Sequence, residues 1–347
     1  MNFNIIVTSK CNLRCKYCYE GNNKSHRDMN IDTANKAIDF IANMIAQEET
    51  NRRNRVVFHG GEPMLNFGLI KFIKSRLDKI INGNYAIDYM TTINGTILND
   101  EMIDFIKQNN IFLSISIDGT KEIHNQNRIY HDGKGSYSIL IENLKKLNQN
   151  GIMPRARMTY KSSNVSSLYE SLVSIANLGF EVCVPIADFY DDEWTEEKIA
   201  ILENQIDRTI EDENLKKMRI SNINKRFLCT RKSDCFAGVT SFTINEDGDI
   251  YPCVFTLGEP KFIIGNVMSE ERINNNKLDS IFKEIKNEYN DCDNCQAQER
   301  CTGNQCKLLN YMITGKYNVP PTINCRLMEV ELNTYKKLDK GNMENAE

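Results

Sequence analysis

Three cysteines stand close together near the start of the chain, in the run Cys11-Asn12-Leu13-Arg14-Cys15-Lys16-Tyr17-Cys18. The C-x3-C-x2-C spacing fits one short turn, as it must if the sulfurs are to converge on one metal group. Three thiolates fall one short of the four that close a structural zinc site or an electron-carrying cubane iron–sulfur cluster. They can instead hold three irons of a cubane and leave the fourth iron open to a small molecule. The alternative is three incidental buried cysteines, and the rest of the chain argues against it.

Composition narrows the field. The chain has 347 residues, a formal net charge of −4 and no long basic run. That argues against a nucleic-acid partner held by phosphate neutralisation. No stretch approaches the roughly 20 apolar residues of a membrane span, and the N-terminus lacks the basic and apolar segments of a signal peptide. Twelve cysteines without a secretion signal point to a reducing compartment, the cytoplasm, where clustered thiols read as metal or redox sites. Hydrophobic content of 41% and charged content of 26% leave room for one large domain plus a small one.

The first two hundred residues alternate short apolar runs with longer segments of helical period. The pattern predicts strands at 3–8, 55–59, 86–92, 111–117, 153–159 and 181–185. It predicts helices near 31–46, 67–80, 100–107, 137–148, 166–178 and 196–213. Such alternation implies parallel strands with crossover helices. Six units predict an α/β fold built as a partial (β/α)6 TIM-like barrel rather than a closed eight-fold one. The three-cysteine loop directly follows the first strand, the end at which such barrels place their chemistry. Nothing precedes that strand, so no separate N-terminal recognition domain is expected. Domain boundaries are expected at 1–221 for the barrel, 222–326 for a cysteine-rich region, and 327–347 for a C-terminal helix (near 327–338) and a frayed tail. Helical periodicity fades after about Asn222, and metal sites would supply the cohesion that a small core cannot.

Further motifs sit where the later strands end. Phe58-His59-Gly60-Gly61-Glu62-Pro63 follows the second strand, Thr92-Ile93-Asn94-Gly95 ends the third, and Ser116-Ile117-Asp118-Gly119 ends the fourth. Two glycines let backbone approach a ligand closely, and a glutamate beside them can accept from an ammonium. Taken alone, Gly60–Pro63 would be a plain turn from strand to helix. With Tyr17 as the aromatic residue before the third cysteine, the set resembles the signature of the radical S-adenosylmethionine (SAM) enzymes. The resemblance implies that Cys11, Cys15 and Cys18 hold a 4Fe–4S cluster whose open iron binds SAM. It places Gly60, Gly61, Glu62 and Pro63 at the SAM amino group, and Ser116 and Asn94 beside the cofactor. Arg128 would meet the SAM carboxylate, for which a bidentate guanidinium is suited; the other reading of Arg128 is a solvated surface arginine.

Eight cysteines crowd the tail: Cys229, Cys235, Cys253, Cys292, Cys295, Cys301, Cys306 and Cys325. Their spacing resembles the SPASM domain, which carries two auxiliary iron–sulfur clusters. The resemblance assigns Cys229, Cys235, Cys253 and Cys306 to one 4Fe–4S cluster and Cys292, Cys295, Cys301 and Cys325 to the other, three clusters in all with the first. The usual pattern has three residues between the last two cysteines of the central run, and here Cys301 and Cys306 are separated by four. The alternative is a pair of zinc ribbons, since four cysteines with C-x2-C spacing suit zinc as well. The twelfth cysteine, Cys183, lies inside a predicted strand and is expected to be a small buried hydrophobe.

The resemblance implies reductive cleavage of SAM to a 5′-deoxyadenosyl radical and hydrogen abstraction from an unactivated C–H bond. SPASM enzymes mostly act on peptides or proteins, and the local runs around Cys18 and Gly60 resemble maturases of ribosomally made peptides. An intramolecular crosslink on a peptide is therefore expected, a cysteine thioether above all. Expected partners are a leader-bearing precursor peptide, an external flavodoxin- or ferredoxin-type electron donor and a separate recognition protein. The competing enzyme reading is the anaerobic sulfatase-maturating relative, which makes formylglycine from cysteine or serine. Members of that group carry an aspartate after the Cys253 position, and this chain has Val254 there. Asp188, Asp191, Asp192 and Glu193 follow the sixth predicted strand and offer another base, although such a run most often forms a solvated loop. A non-catalytic metal-cluster scaffold is the reading from a different class.

Overall fold

The computed structural model describes residues 1–18, 26–48, 52–221, 223, 236–290, 292–295, 297–298 and 301–344. Two compact units emerge: Met1–Arg14, Cys18–Ser114 and Phe236–Asn287 form the first, and Cys15–Tyr17, Ile115–Cys235 and Glu288–Glu347 the second. The ten strands are β1 (Asn2–Thr8), β2 (Asn54–Gly60), β3 (Ile87–Ile93), β4 (Phe112–Ser116), β5 (Arg155–Tyr160), β6 (Val182–Ala187), β7 (Arg219–Ile220), β8 (Ser241–Ile244), β9 (Asp249–Tyr251) and β10 (Gly265–Asn266).

In the first unit the strands run in the order β10-β9-β8-β1-β2-β3. β1 pairs in parallel with both β2 and β8, and β2 pairs in parallel with β3. β9 and β10 add an antiparallel edge. The second unit carries β5-β6-β7, all parallel. Neither run closes on itself, so the sheet is open, as a partial barrel requires.

Helix 31–46 shows why these segments fold as they do. Asn30 caps it by accepting from the Thr33 amide at 2.8 Å, which satisfies one of the orphan donors of the first turn. Ala34, Ala37, Ile38, Ile41 and Ile45 recur at helical spacing and are buried. Phe40 joins Phe3 of β1 and Phe242 of β8 in a three-ring cluster, with centroids 5.7–6.3 Å apart. That cluster ties a strand from the cysteine-rich half of the sequence to the first strand of the chain.

Five of the six predicted strands differ from the observed ones by one or two residues, and the sixth, near 153–159, is shifted one to two residues towards its C-terminal end. The helix predicted at 166–178 begins as a 3-10 turn, Val165–Ser167, before the α-helix Leu168–Asn177. The fading of helical periodicity beyond Asn222 is corrected by Asn275–Asn287 and Lys307–Thr314, while the final helix, Thr322–Glu344, contains the one expected near 327–338. Asn275–Asn287 buries only Leu278 and Ile281, too narrow a stripe to stand out in the sequence. The final helix runs through Gly341, where the sequence suggested fraying. Cys183 is fully buried, the small hydrophobe it was expected to be.

Phe242 is 1% exposed, and nothing in the three-ring cluster can collapse into its place without moving a strand. Phe242→Ala should cost about 3–5 kcal/mol, read as a lowered urea midpoint.

Candidate functional site

At the C-terminal ends of β1, β2 and β3, three loops of the first unit lock together through their backbones. The Gly61 amide donates to the Thr8 carbonyl at 3.0 Å and the Glu62 amide to the Lys10 carbonyl at 2.8 Å. This approach is possible only without side chains. A Cβ on Gly60 would lie 2.2 Å from the Thr8 carbonyl oxygen, and one on Gly61 would lie 2.4 Å from that of Lys10. The two glycines therefore press the loop after β2 against the segment that leads into Cys11.

Glu62 is 1% exposed and fastens this joint from the inside. Its carboxylate accepts from the amide of Asn94 at 2.7 Å and from that of Met64 at 3.1 Å. Burial pushes its pKa up to about 7, against the two amides, which favour the charged form. Asn94 in turn donates from Nδ2 to Asn12 Oδ1 at 2.8 Å, and Asn12 donates to Thr96 Oγ1 at 2.8 Å. Thr96 closes the circuit by donating from its amide and hydroxyl to Asn94 Oδ1. Asn94 thus steadies the residue next to Cys11. The Leu13 amide points at Cys11 Sγ from 3.4 Å, a donor that favours a thiolate.

The second unit holds the middle of the cysteine loop by a different device. The Lys16 amide donates to the Asn127 carbonyl at 3.0 Å. The Tyr17 hydroxyl donates to Asp118 Oδ2, and Arg128 Nε donates to the same oxygen at 3.1 Å. Asp118 Oδ1 accepts from the Thr159 amide at 3.1 Å, and the Arg128 guanidinium lies 5.2 Å from the centre of the Tyr17 ring. Asp118 is fully buried and Arg128 is 8% exposed, which corrects the solvated-surface reading of that arginine. His124 backs the turn: its Nδ1 accepts from the Asp118 amide at 3.5 Å and its Nε2 meets Ser136 Oγ at 2.9 Å. Burial holds this imidazole down at about 3, so it is neutral. Ser116 is half-buried at the end of β4.

The acidic run after β6 is not the solvated loop that its composition suggested. Asp188 and Asp191 are buried, while Asp192 and Glu193 are exposed. Asp191 accepts from the Ser162 amide and hydroxyl at 2.6 and 3.1 Å and from the Glu193 amide at 3.2 Å. Asp188 accepts from the Tyr190 amide at 3.1 Å and faces Lys161 at 3.7 Å. Burial raises its pKa against both.

In the tail, Cys292 and Cys301 are buried and Cys295 and Cys325 exposed. Burial pushes the Cys292 thiol up to about 11, Lys307 pulls it down, and charge on Cys301, Cys325 and Cys295 pushes it up again. Charge on the other three thiols expected in this set therefore reaches Cys292. A Cβ on Gly303 would approach Cys301 Sγ to 3.4 Å, so this glycine keeps the space beside the sulfur narrow but open. Four thiolates are the number that closes a cubane cluster. Of the other expected set, Cys229 and Cys235 lie outside the described residues, Cys253 belongs to the first unit and Cys306 to the second. Among the described residues, no three His, Cys, Asp or Glu side chains gather as a mononuclear metal site would require.

Residues 5–160 match the radical SAM superfamily, and residues 235–296 match the iron–sulfur cluster-binding SPASM domain. The chain is a radical SAM enzyme with a C-terminal SPASM domain. It is 27% identical over 327 residues to a cysteine-type anaerobic sulfatase-maturating enzyme of Clostridium novyi, covering 85% of this chain and 84% of that one. Among solved structures, anSMEcpe with bound AdoMet and Kp18Cys peptide matches with a TM-score of 0.81 at 19% identity, covering 99% of both chains. SuiB of Streptococcus suis bound to its precursor peptide SuiA matches with a TM-score of 0.64 at 15% identity, covering 91% of this chain and 74% of that one. At these identities the structural likeness is one of fold. The two domains imply 4Fe–4S clusters and SAM, and the thiols of Cys11, Cys15 and Cys18 are donors of the kind such a cluster takes. No described helix of this radical SAM enzyme is long and apolar enough to cross a membrane.

Three residues of this site escape a reading of the sequence: Asn12, Thr96 and Asp118. Asn12 and Asp118 lie inside quoted motifs and Thr96 directly after one, but their roles depend on contacts between segments distant in sequence. Glu62 gives a pH signature. Its folded carboxyl keeps a proton up to about 7, whereas the ordinary value is 4.5, so the folded state binds more protons between the two. The stability this contributes is fully present below 4.5 and lost as pH rises through 7. The wild-type protein should lose roughly 3 kcal/mol between about pH 4.5 and 8 from this group. Glu62→Gln should flatten that slope, as read by urea unfolding of cluster-free protein across the range.

Proposed function

We propose that this enzyme is a peptide maturase that joins a cysteine sulfur to a carbon of another residue in the same peptide. Bound beside a cluster held by Cys11, Cys15 and Cys18, SAM supplies a 5′-deoxyadenosyl radical on one-electron reduction. The peptide loses one hydrogen atom to that radical. Forming the C–S bond then releases the thiol proton and one further electron. Cys292, Cys295, Cys301 and Cys325 would hold one group able to take up an electron, and Cys229, Cys235, Cys253 and Cys306 would hold a second. A flavodoxin- or ferredoxin-type donor supplies the electron that starts each turnover. The substrate is a leader-bearing precursor peptide, recruited directly or through a separate recognition protein.

The observation that carries the crosslink over formylglycine is Val254. It opens the 3-10 turn Val254–Thr256 directly after Cys253, and an apolar side chain there cannot take the proton that the sulfatase-maturating reaction must shed. The competing reading has its own support: the likeness to the Clostridium novyi enzyme spans nearly the whole chain. Asp188, a buried carboxylate beside Lys161, would be the base in that case.

Anoxic incubation with cysteine-containing peptides, SAM and reductant, read by tandem mass spectrometry, separates the two. A crosslinked product lacks two hydrogens and does not react with hydrazines, whereas formylglycine gives an aldehyde that does. Cys15→Ala should abolish 5′-deoxyadenosine formation. Cys325→Ala should keep some SAM cleavage but lose the crosslinked product. An unchanged deoxyadenosine yield in Cys15→Ala would overturn the assignment of the cleavage site.

A further inference from the structure

Asp118 is a buried hub of the second unit. It is fully buried and receives three donors: the Tyr17 hydroxyl, Arg128 Nε and the Thr159 amide. Its two oxygens are divided by task. Oδ1 faces the backbone of β5, and Oδ2 gathers two side chains that come from separate parts of the sequence. One is the aromatic residue between the second and third cysteines of the loop. The other is the arginine that closes the turn after helix Lys121–Asn127.

The choice of atom on Arg128 matters. Asp118 takes Nε, the donor nearest the chain, and so holds the guanidinium at its stem. The guanidinium carbon lies 5.2 Å from the Tyr17 ring centre, and the Tyr17 hydroxyl is bound to the same carboxylate. Ring and guanidinium are therefore each pinned twice, once to Asp118 and once to each other. The neighbouring Lys16 amide bonds to the Asn127 carbonyl, so the backbone of the loop is held to the residue just before Arg128.

A buried ion pair is a weak source of stability, because desolvation consumes most of its Coulombic gain. Its distinct effect is to fix geometry. We propose that Asp118 is a positioning residue for SAM: it sets the Tyr17 ring and the Arg128 guanidinium in one fixed arrangement beside the cysteine loop, ready to receive the cofactor. The inference rests on the SAM-binding reading of this site and is independent of the bond formed in the peptide.

Three variants of the anoxically reconstituted full-length protein test it. Tyr17→Phe removes one hydroxyl and keeps the ring. Asp118→Asn keeps an acceptor for the Thr159 amide but removes the charge. The double variant removes both. Readouts are iron and sulfide content, thermal midpoint, and the SAM dissociation constant from titration of the reduced-cluster EPR signal. Tyr17→Phe should load iron and sulfide as the wild type does, keep its thermal midpoint, and bind SAM on the order of tenfold more weakly. Asp118→Asn should weaken SAM binding at least as much. The double variant should bind SAM within about twofold of Asp118→Asn, because both changes cut the same link.

A merely structural Asp118 would lower the thermal midpoint of Asp118→Asn while Tyr17→Phe bound SAM like the wild type, and that result overturns the proposal. Additive losses in the double variant overturn it as well, since Tyr17 would then act without Asp118. Wild-type SAM binding is the reference throughout. Failure of the radical SAM reading would appear in the wild type, and failure of this inference only in the variants.

Discussion

The joint between the loops after β1 and β2 is the contact on which the cysteine loop depends. Its donors and acceptors are backbone groups, so the side chains of the cysteine loop stay available for other work. Two hydrogen bonds of this kind contribute only about 1 kcal/mol each. Their larger consequence is geometric. Thr8 and Lys10 have their carbonyls fixed by the amides of Gly61 and Glu62, so Cys11 leaves the strand at a set height. A cluster held by thiolates tolerates little error in sulfur position, and a floating loop would lose the ligand geometry before it lost the fold. Glycine at 60 and 61 follows from that packing, since each missing Cβ is already occupied by a carbonyl oxygen of the β1 segment. The sequence reading gave the glycines a ligand to approach; in the structure the close approach is to the protein's own backbone.

Polar side chains take over where backbone contact ends. Glu62, Asn94, Asn12 and Thr96 form one circuit in the first unit, and Asp118, Tyr17 and Arg128 form another in the second. Burying such groups costs free energy unless every strong donor and acceptor is matched. Glu62 meets that condition with two backbone amides, and Asp118 with one amide, a phenol and a guanidinium. Both circuits are therefore rigid by construction, because a partial rearrangement would strand a buried carboxylate oxygen. Rigidity is useful beside a radical, which abstracts whichever hydrogen lies nearest.

The first two hundred residues were legible because each element there carries its own signal. Helix 31–46 has a capping Asn30 and an unbroken apolar stripe, and the early strands are apolar runs between turn residues. Boundaries slipped at the strand ends, where pairing with a neighbour, rather than local preference, decides the last residue. The region after Asn222 was legible through its cysteines and little else. β7 and β10 are two residues long, and β8 has its place through pairing with β1, which is far away in sequence. The same limit hid Asp118. Its neighbours in sequence mark a turn, whereas its partners Tyr17, Arg128 and Thr159 come from three other segments.

Formylglycine formation and thioether crosslinking share their opening: a hydrogen atom leaves a carbon, and a second electron and a proton must follow. They diverge in what meets the carbon. A crosslink needs a sulfur already positioned against it, so shape and exclusion of water decide the outcome. Formylglycine needs a proton acceptor at the oxidised residue and then water. Val254 offers no proton acceptor directly after Cys253. In the loop after β6, Asp191 is engaged by Ser162 and Glu193, and Asp188 accepts from the Tyr190 amide. Asp188 has a lysine beside it, and the positive charge of Lys161 favours the ionised form against the cost of burial. A carboxylate so placed orients a peptide amide or ammonium as readily as it takes a proton. The choice between the two reactions therefore turns on whether water reaches the oxidised carbon before sulfur does.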